Sequence, residues 1–196
     1  MHVTQPVFME TFLSICHAIQ PLSDALRQAL REGVQQEEVA ARQHLLQAGQ
    51  VAGRLYFLEA GVVRGYYLKE GKEVTSWFMK EGDFVISILS FFSRQPSHEY
   101  VQALTPCQLW SLGHSQLQEL YARFPEFNFI GRTLTEKYYV QSEQRALHLR
   151  MHTAAERYAY LQAEFPDIFQ RVSLKLIASH LGLTPETLSR LRARRS

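Results

Sequence analysis

The sequence predicts an α+β chain: N-terminal helices, an antiparallel β-roll of the double-stranded β-helix kind, a long helix, and a C-terminal helix-turn-helix. Three observations carry this expectation. Gly49, Gly53, Gly61, Gly65, Gly71 and Gly82 punctuate β-branched and aromatic runs between Val34 and Leu112, at the spacing of an antiparallel barrel or sandwich. Residues 126–151 then read as one long helix with an apolar stripe. The last two dozen residues form two short helical patterns around a tight turn, with a basic end.

Taken in order, Val7, Phe8, Phe12, Ile15 and Ile19 recur at helical spacing until Pro21 ends the pattern. Ser23 and Asp24 cap a second helix over 23–31. The clearest hairpin pairs 62–68 with 74–79 across 69–73, its Tyr66, Tyr67, Trp77 and Phe78 suiting a half-buried pleated surface. A turn at Glu81-Gly82-Asp83 leads into Phe84–Phe92, an apolar run that fits a strand or a short helix. Pro96 and Pro106 bracket a strand at 99–104, and 108–112 is the last one. A short helix at 115–122 precedes the long one. There Phe127, Ile130, Leu134 and Tyr138 repeat in three- and four-residue steps. That stripe suits pairing with a second copy of the helix, or packing on its own domain. A further helix at 153–164 leads into the C-terminal module. The expected division is a roll domain at 1–125, the long helix at 126–151, and the helix-turn-helix domain at 152–196.

Charge is divided unevenly. From Arg171 onward six basic residues face one acid, Glu186, whereas the first 170 residues carry fifteen basic and eighteen acidic ones. That places an electrostatic footprint for phosphates at the C-terminus. Cys16 and Cys107 are too few for a disulfide framework and read as buried thiols. The sequence has no secretory signal and no apolar run long enough for a bilayer, so a cytoplasmic chain without membrane contact is expected.

The C-terminal module carries the functional signal. Leu174, Ile177, Ala178 and Leu181 share one face of its first helix, and Gly182 frees the backbone for the turn. Thr184 is an N-cap and Pro185 suits the first helical position. Leu188 and Leu191 point to the core, leaving Glu186, Ser189, Arg190 and Ala193 outward. A second helix of this kind enters the DNA major groove with its N-terminal residues on base edges.

Element order, residues 174–195 and the segment Trp77-Phe-Met-Lys-Glu-Gly-Asp-Phe84 together resemble the Crp/Fnr family of bacterial transcription regulators. The resemblance implies a homodimer in which the roll senses a small molecule and the C-terminal module reads a palindromic site in double-stranded DNA. It also allows RNA polymerase as a partner. It implies that Glu186 accepts from cytosine N4 and that Arg190 forks onto guanine. Thr184 and Thr187 would bond backbone phosphates. Pro185 replaces a base-reading arginine of several relatives, and Ser189, Arg192 and Arg194 complete the expected DNA face.

The sensory positions depart from the family's pattern. Cyclic-nucleotide binders carry Gly-Glu after Gly-Asp-Phe and an arginine further on; here those positions are Ile86, Ser87 and Ser97. Without the arginine an anionic phosphate would lose a charge-assisted bond of about 1.5–3 kcal/mol. The expected effector pocket is Phe84, Ile86, Ser87, Ile88, Arg94, Ser97 and His98, with cyclic AMP disfavoured. No cofactor is expected beyond an unidentified small-molecule effector. Two cysteines cannot ligate an iron–sulfur cluster. His148, His152 and Glu156 have a metal-compatible spacing, but read as hinge or solvated residues, and no metal is expected. No hydrolase, P-loop or dinucleotide fingerprint points to an enzyme. The alternative reading is a small-molecule sensing module whose helix-turn-helix makes protein contacts.

Overall fold

The computed structural model describes residues 7–193. Two helices open the chain, α1 (Val7–Ile19) and α2 (Asp24–Gly33). The Ser23 hydroxyl caps α2 by accepting from the Leu26 amide at 3.2 Å. Eight strands follow: β1 (Gln35–Val39), β2 (His44–Leu46), β3 (Arg54–Ala60), β4 (Val63–Lys69), β5 (Lys72–Met79), β6 (Phe84–Val85), β7 (Tyr100–Ala103) and β8 (Cys107–Gly113). They form two antiparallel four-stranded sheets, ordered β1-β8-β3-β6 and β2-β7-β4-β5, which is the expected roll.

The β4–β5 hairpin closes more tightly than 69–73, because Lys69 pairs with Lys72 and only Glu70-Gly71 remain in the loop. Both have positive φ, 52° and 75°, the backbone a twisted two-residue turn requires. The ambiguous run at 84–92 is divided. Phe84–Val85 pairs with β3 as β6, and Ile88–Ser93 forms the short helix α3. Three helices then run α4 (His114–Arg123), α5 (Pro125–Met151) and α6 (Ala154–Glu164). The Thr153 hydroxyl caps α6 while the Glu156 carboxylate returns to the Thr153 amide at 2.7 Å. The turn α7 (Ile168–Arg171) precedes α8 (Leu174–His180) and α9 (Pro185–Ala193).

One finding corrects the sequence reading of α5. Phe127 and Ile130 are buried in the roll's core, and Leu134 and Tyr138 pack against it. That stripe is spent on the chain's own roll, because α1, the sheet β1-β8-β3-β6 and α4 present an apolar surface to it. A different stripe is free: Phe129, Val140, Leu147 and Met151 are exposed. At about 100° per residue they lie within roughly 40° of one another on the opposite side of the helix.

The C-terminal module has a separate core of Tyr158, Leu161, Phe165, Ile168, Val172, Ile177, Ala178, Leu181 and Leu188. Val62, Phe78 and Leu104 of the roll join it, so the module is docked on the β4–β5 hairpin.

Candidate ligand cavity and nucleic-acid interface

The helix α9 stands as the local pattern requires. Leu188 is fully buried, whereas Thr184, Pro185, Glu186, Ser189, Arg190 and Arg192 are exposed and Thr187 is half-buried. Thr184 accepts from the Thr187 amide at 3.2 Å, which fixes the start of the helix. Gly182 has φ 65°, the left-handed turn the sequence assigned to it. The Glu186 carboxyl is held below its ordinary pKa by its own backbone amide, then by Thr184 and Arg190, so it presents a charged acceptor. The Arg192 guanidinium lies 5.1 Å from the Phe169 ring centre. Arg194 falls outside the described residues.

Docking of this module is polar as well as apolar. The Ser179 hydroxyl accepts from the Thr75 amide at 3.0 Å and donates to the Glu73 carbonyl at 3.1 Å. Arg171 grips Glu81 through two bonds of 2.6 and 2.8 Å. That fork draws the Glu81 carboxyl down to about 2. Lys80 donates to the Glu164 carbonyl at 2.8 Å, and His180 packs edge-on against Phe78 at 5.1 Å.

A cavity of about 770 Å³ lies between the roll, α5 and α8. Its wall includes six of the seven expected effector residues: Phe84, Ile86, Ser87, Ile88, Ser97 and His98. Arg94 is the exception and a correction. It sits at the left-handed C-cap of α3, φ 59°, and its guanidinium donates to the carbonyls of Ala52 and Phe91 at 2.6 and 3.1 Å. Those bonds tie the end of α3 to the roll and leave the arginine outside the wall.

Sequence reasoning missed the cavity's polar centre. Glu99 is buried, and its carboxylate accepts from Trp77 Nε1 at 2.7 Å. Burial raises its pKa, against the bonds from Ser87, Trp77 and Tyr67. Ser97, at the position of the missing arginine, accepts from the Glu99 amide at 2.9 Å and lies 3.3 Å from the Ser87 hydroxyl. The four side chains close on one another rather than on a phosphate. Gly65 makes this possible, since a Cβ there would meet the Trp77 ring at 2.1 Å.

Remaining candidates behave as structural residues. Cys16 and Cys107 are free and buried, and burial pushes the Cys16 thiol to about 12. His148 and His152 stack at 4.5 Å, with His148 edge-on to Tyr160, while Glu156 serves the α6 cap. Among the described residues no three His, Cys, Asp or Glu side chains gather into a metal site, and no helix is long and apolar enough to cross a membrane.

Comparison with known proteins agrees with this architecture. Residues 36–124 match the cyclic nucleotide-binding domain, a binding domain rather than a catalytic one. A search of curated proteins finds no relative. Among solved structures, FixK2 from Bradyrhizobium japonicum superposes with a TM-score of 0.70 at 21% identity, covering 82% of this chain and 83% of that one. CLP from Xanthomonas campestris, a global regulator responsive to c-di-GMP, gives 0.67 at 17% identity, covering 88% and 91%. The catabolite activator protein of Thermus thermophilus gives 0.56 at 18% identity, covering 92% and 85%. Residues 36–124 thus resemble a cyclic nucleotide-binding domain, in a chain with the fold of solved Crp/Fnr regulators.

Proposed function

We propose that this chain is a homodimeric, DNA-binding transcription regulator whose roll senses a small molecule other than cyclic AMP. The observation that carries the reading is the outward row on α9, where Glu186, Ser189 and Arg190 are exposed opposite the buried Leu188. In a major groove Arg190 would fork onto guanine O6 and N7, and Glu186 would accept from cytosine N4. Thr184, Thr187, Arg192 and Arg194 would contact the phosphates that set its register.

The exposed stripe of Phe129, Val140, Leu147 and Met151 supports a two-fold seam along α5. Such a dimer places two recognition helices for half-sites about 34 Å apart. The cavity supports regulation by population shift. Its wall includes Ser179, His180 and Gly182 of the module as well as the roll and α5, so an occupant bears directly on how the module is held.

Selecting bound duplexes from a random pool tests this. A palindromic site should emerge, with affinity falling log-linearly as salt rises. Arg190→Ala should cost about 1–3 kcal/mol and flatten preference at one guanine of each half-site, and Glu186→Ala should flatten it at one cytosine. A protein-contact role for the module would instead give no selected site and no steep salt dependence.

A further inference from the structure

We infer that the cavity takes an amphipathic anion, a carboxylate or similar oxyanion on an apolar body, with its head at Arg145 of α5 and its body against the aromatic lining of the roll. This rests on the reading of the roll as a sensor and names the class of molecule sensed.

The helix itself singles out Arg145. At about 100° per residue it continues the line of Phe127, Leu134 and Tyr138, the face that packs on the roll. A guanidinium therefore stands where the helix otherwise presents apolar groups. It lines both the large cavity and a smaller cleft of about 140 Å³ beside α6, which places it where the two meet. Among the described residues no carboxylate lies within ion-pair distance of it, and no hydrogen bond holds it. Glu99 and Tyr160 act on it only through the field, and desolvation lowers its pKa. A guanidinium has five N–H donors and no acceptor, so this half-buried one, lining an apolar wall without a hydrogen-bond partner, offers its donors to an oxyanion.

Two more polar atoms in the same wall lack partners among the described residues, Thr75 Oγ1 and His180 Nδ1. Thr75 is 3% exposed and can donate a second bond to an oxyanion. His180 bonds the Thr75 and Ser76 backbone and feels the Arg145 charge, which brings these groups to one end of the cavity.

The roll side is built the other way. Phe57, Phe84, Trp110 and Leu134 supply apolar lining, and Glu99 with Ser87 and Ser97 is already internally bonded. A phosphate there would face the Glu99 carboxylate, and Arg94 is turned away from it. The cavity's polarity therefore favours a head at α5. A head bound there also borders His180 and Gly182, so the ligand would touch the DNA module itself.

The test uses the full-length protein and matched straight-chain probes: decanoate, decanol and decylamine, with cyclic AMP and cyclic di-GMP alongside. Binding is read by calorimetry and by emission of Trp77 and Trp110, both in the wall. Decanoate should bind roughly tenfold or more tightly than decanol, the scale of one charge-assisted bond. Arg145→Gln should bring decanoate down to the affinity of decanol, and Arg145→Lys should restore part of the preference. Equal binding of the three chains, preference for the amine, tighter binding of either cyclic nucleotide, or a preference that survives Arg145→Gln would each overturn the inference. Sensing by a different class would still show as ligand-dependent DNA affinity. Should no probe alter either emission or DNA affinity, the sensory reading falls with the inference.

Discussion

On α9, charged and polar side chains stand in solvent around one buried leucine; in the roll cavity, Glu99, Ser87, Ser97 and Thr75 are buried among aromatic rings. The first arrangement is made by a single helical repeat, so each outward residue can change without disturbing its neighbours. The second is assembled from β4, β5, α3, the segment before β7 and α5; there Glu99, Ser87 and Ser97 satisfy one another, while Thr75 Oγ1 is left without a partner among the described residues. The difference teaches where each kind of substitution acts. Changes to the outward residues of α9 should alter recognition at constant stability, and changes in the cavity wall should alter stability first.

Leu188→Ala should break that contrast most strongly. The leucine has no exposed surface and packs with Ile177 and Ala178 at the centre of the module's core. Its truncation leaves a cavity and should cost about 4 kcal/mol. Both tryptophans lie in the roll, so thermal melting followed by helical circular dichroism should fall below melting followed by tryptophan emission. Coincident transitions would show the two cores to be one cooperative unit.

Gly65→Ala attacks the other side of the comparison. Its Cβ would meet the Trp77 ring at 2.1–2.4 Å, and that ring is held by Glu99. Displacing it should cost about 3 kcal/mol by overpacking and strip the Glu99 carboxylate of its indole donor. Tryptophan emission should shift red, while DNA affinity measured below the melting range stays within about twofold. A large loss of DNA affinity in a still-folded variant would place Trp77 on the route between cavity and module.

The same contrast explains what the sequence disclosed. Glycine spacing and the cap at Thr184 are local signals, and they placed the roll and α9 correctly, whereas the 84–92 run left strand and helix open and is divided between β6 and α3. The cavity is a long-range object. Nothing adjacent to Glu99 in sequence announces Trp77, because their meeting depends on Gly65 in β4. Arg94 is close to Ser97 in sequence, but a left-handed C-cap turns it away from the cavity. On α5 the apolar stripe was legible but its partner was not, since a helix period cannot say whether a face meets its own domain or a second copy. Arg145 was within reach of the sequence: it is the charged residue on the line of Phe127, Leu134 and Tyr138.

The junction between the two regions should respond to pH through His180. Burial, then the charge of Arg145, lowers its pKa from 6.5 to about 4, against bonds to the Ser76 and Thr75 backbone. A lowered histidine pKa means that the released module binds the proton more readily than the docked one. Docking should be strongest above pH 6.5 and weaken as pH falls toward 4, by about 3 kcal/mol at most. Hydrogen exchange of the α8 amides should accelerate over that window, and His180→Gln should remove the dependence.

Glu81→Gln sharpens the comparison most gently, because it alters one charge at the seam and leaves both cores intact. The Glu81 carboxylate meets Arg171 at 2.6 and 2.8 Å and also accepts from the Gly61 amide at 2.7 Å, a bond the amide oxygen of glutamine can keep. Its depressed pKa means that the pairing contributes above pH 4.5 and is lost as pH falls through about 2. Since the Glu81 side chain is 41% exposed, solvent screening limits the charge to about 1 kcal/mol or less. The expected result is a small rise in α8 exchange above pH 4.5, reproduced in the parent protein by added salt and absent when salt is added to the variant. An equal salt response in both proteins would mean that Arg171 does not hold the module to the roll by charge, leaving contacts such as those of Ser179, Lys80 and Phe78.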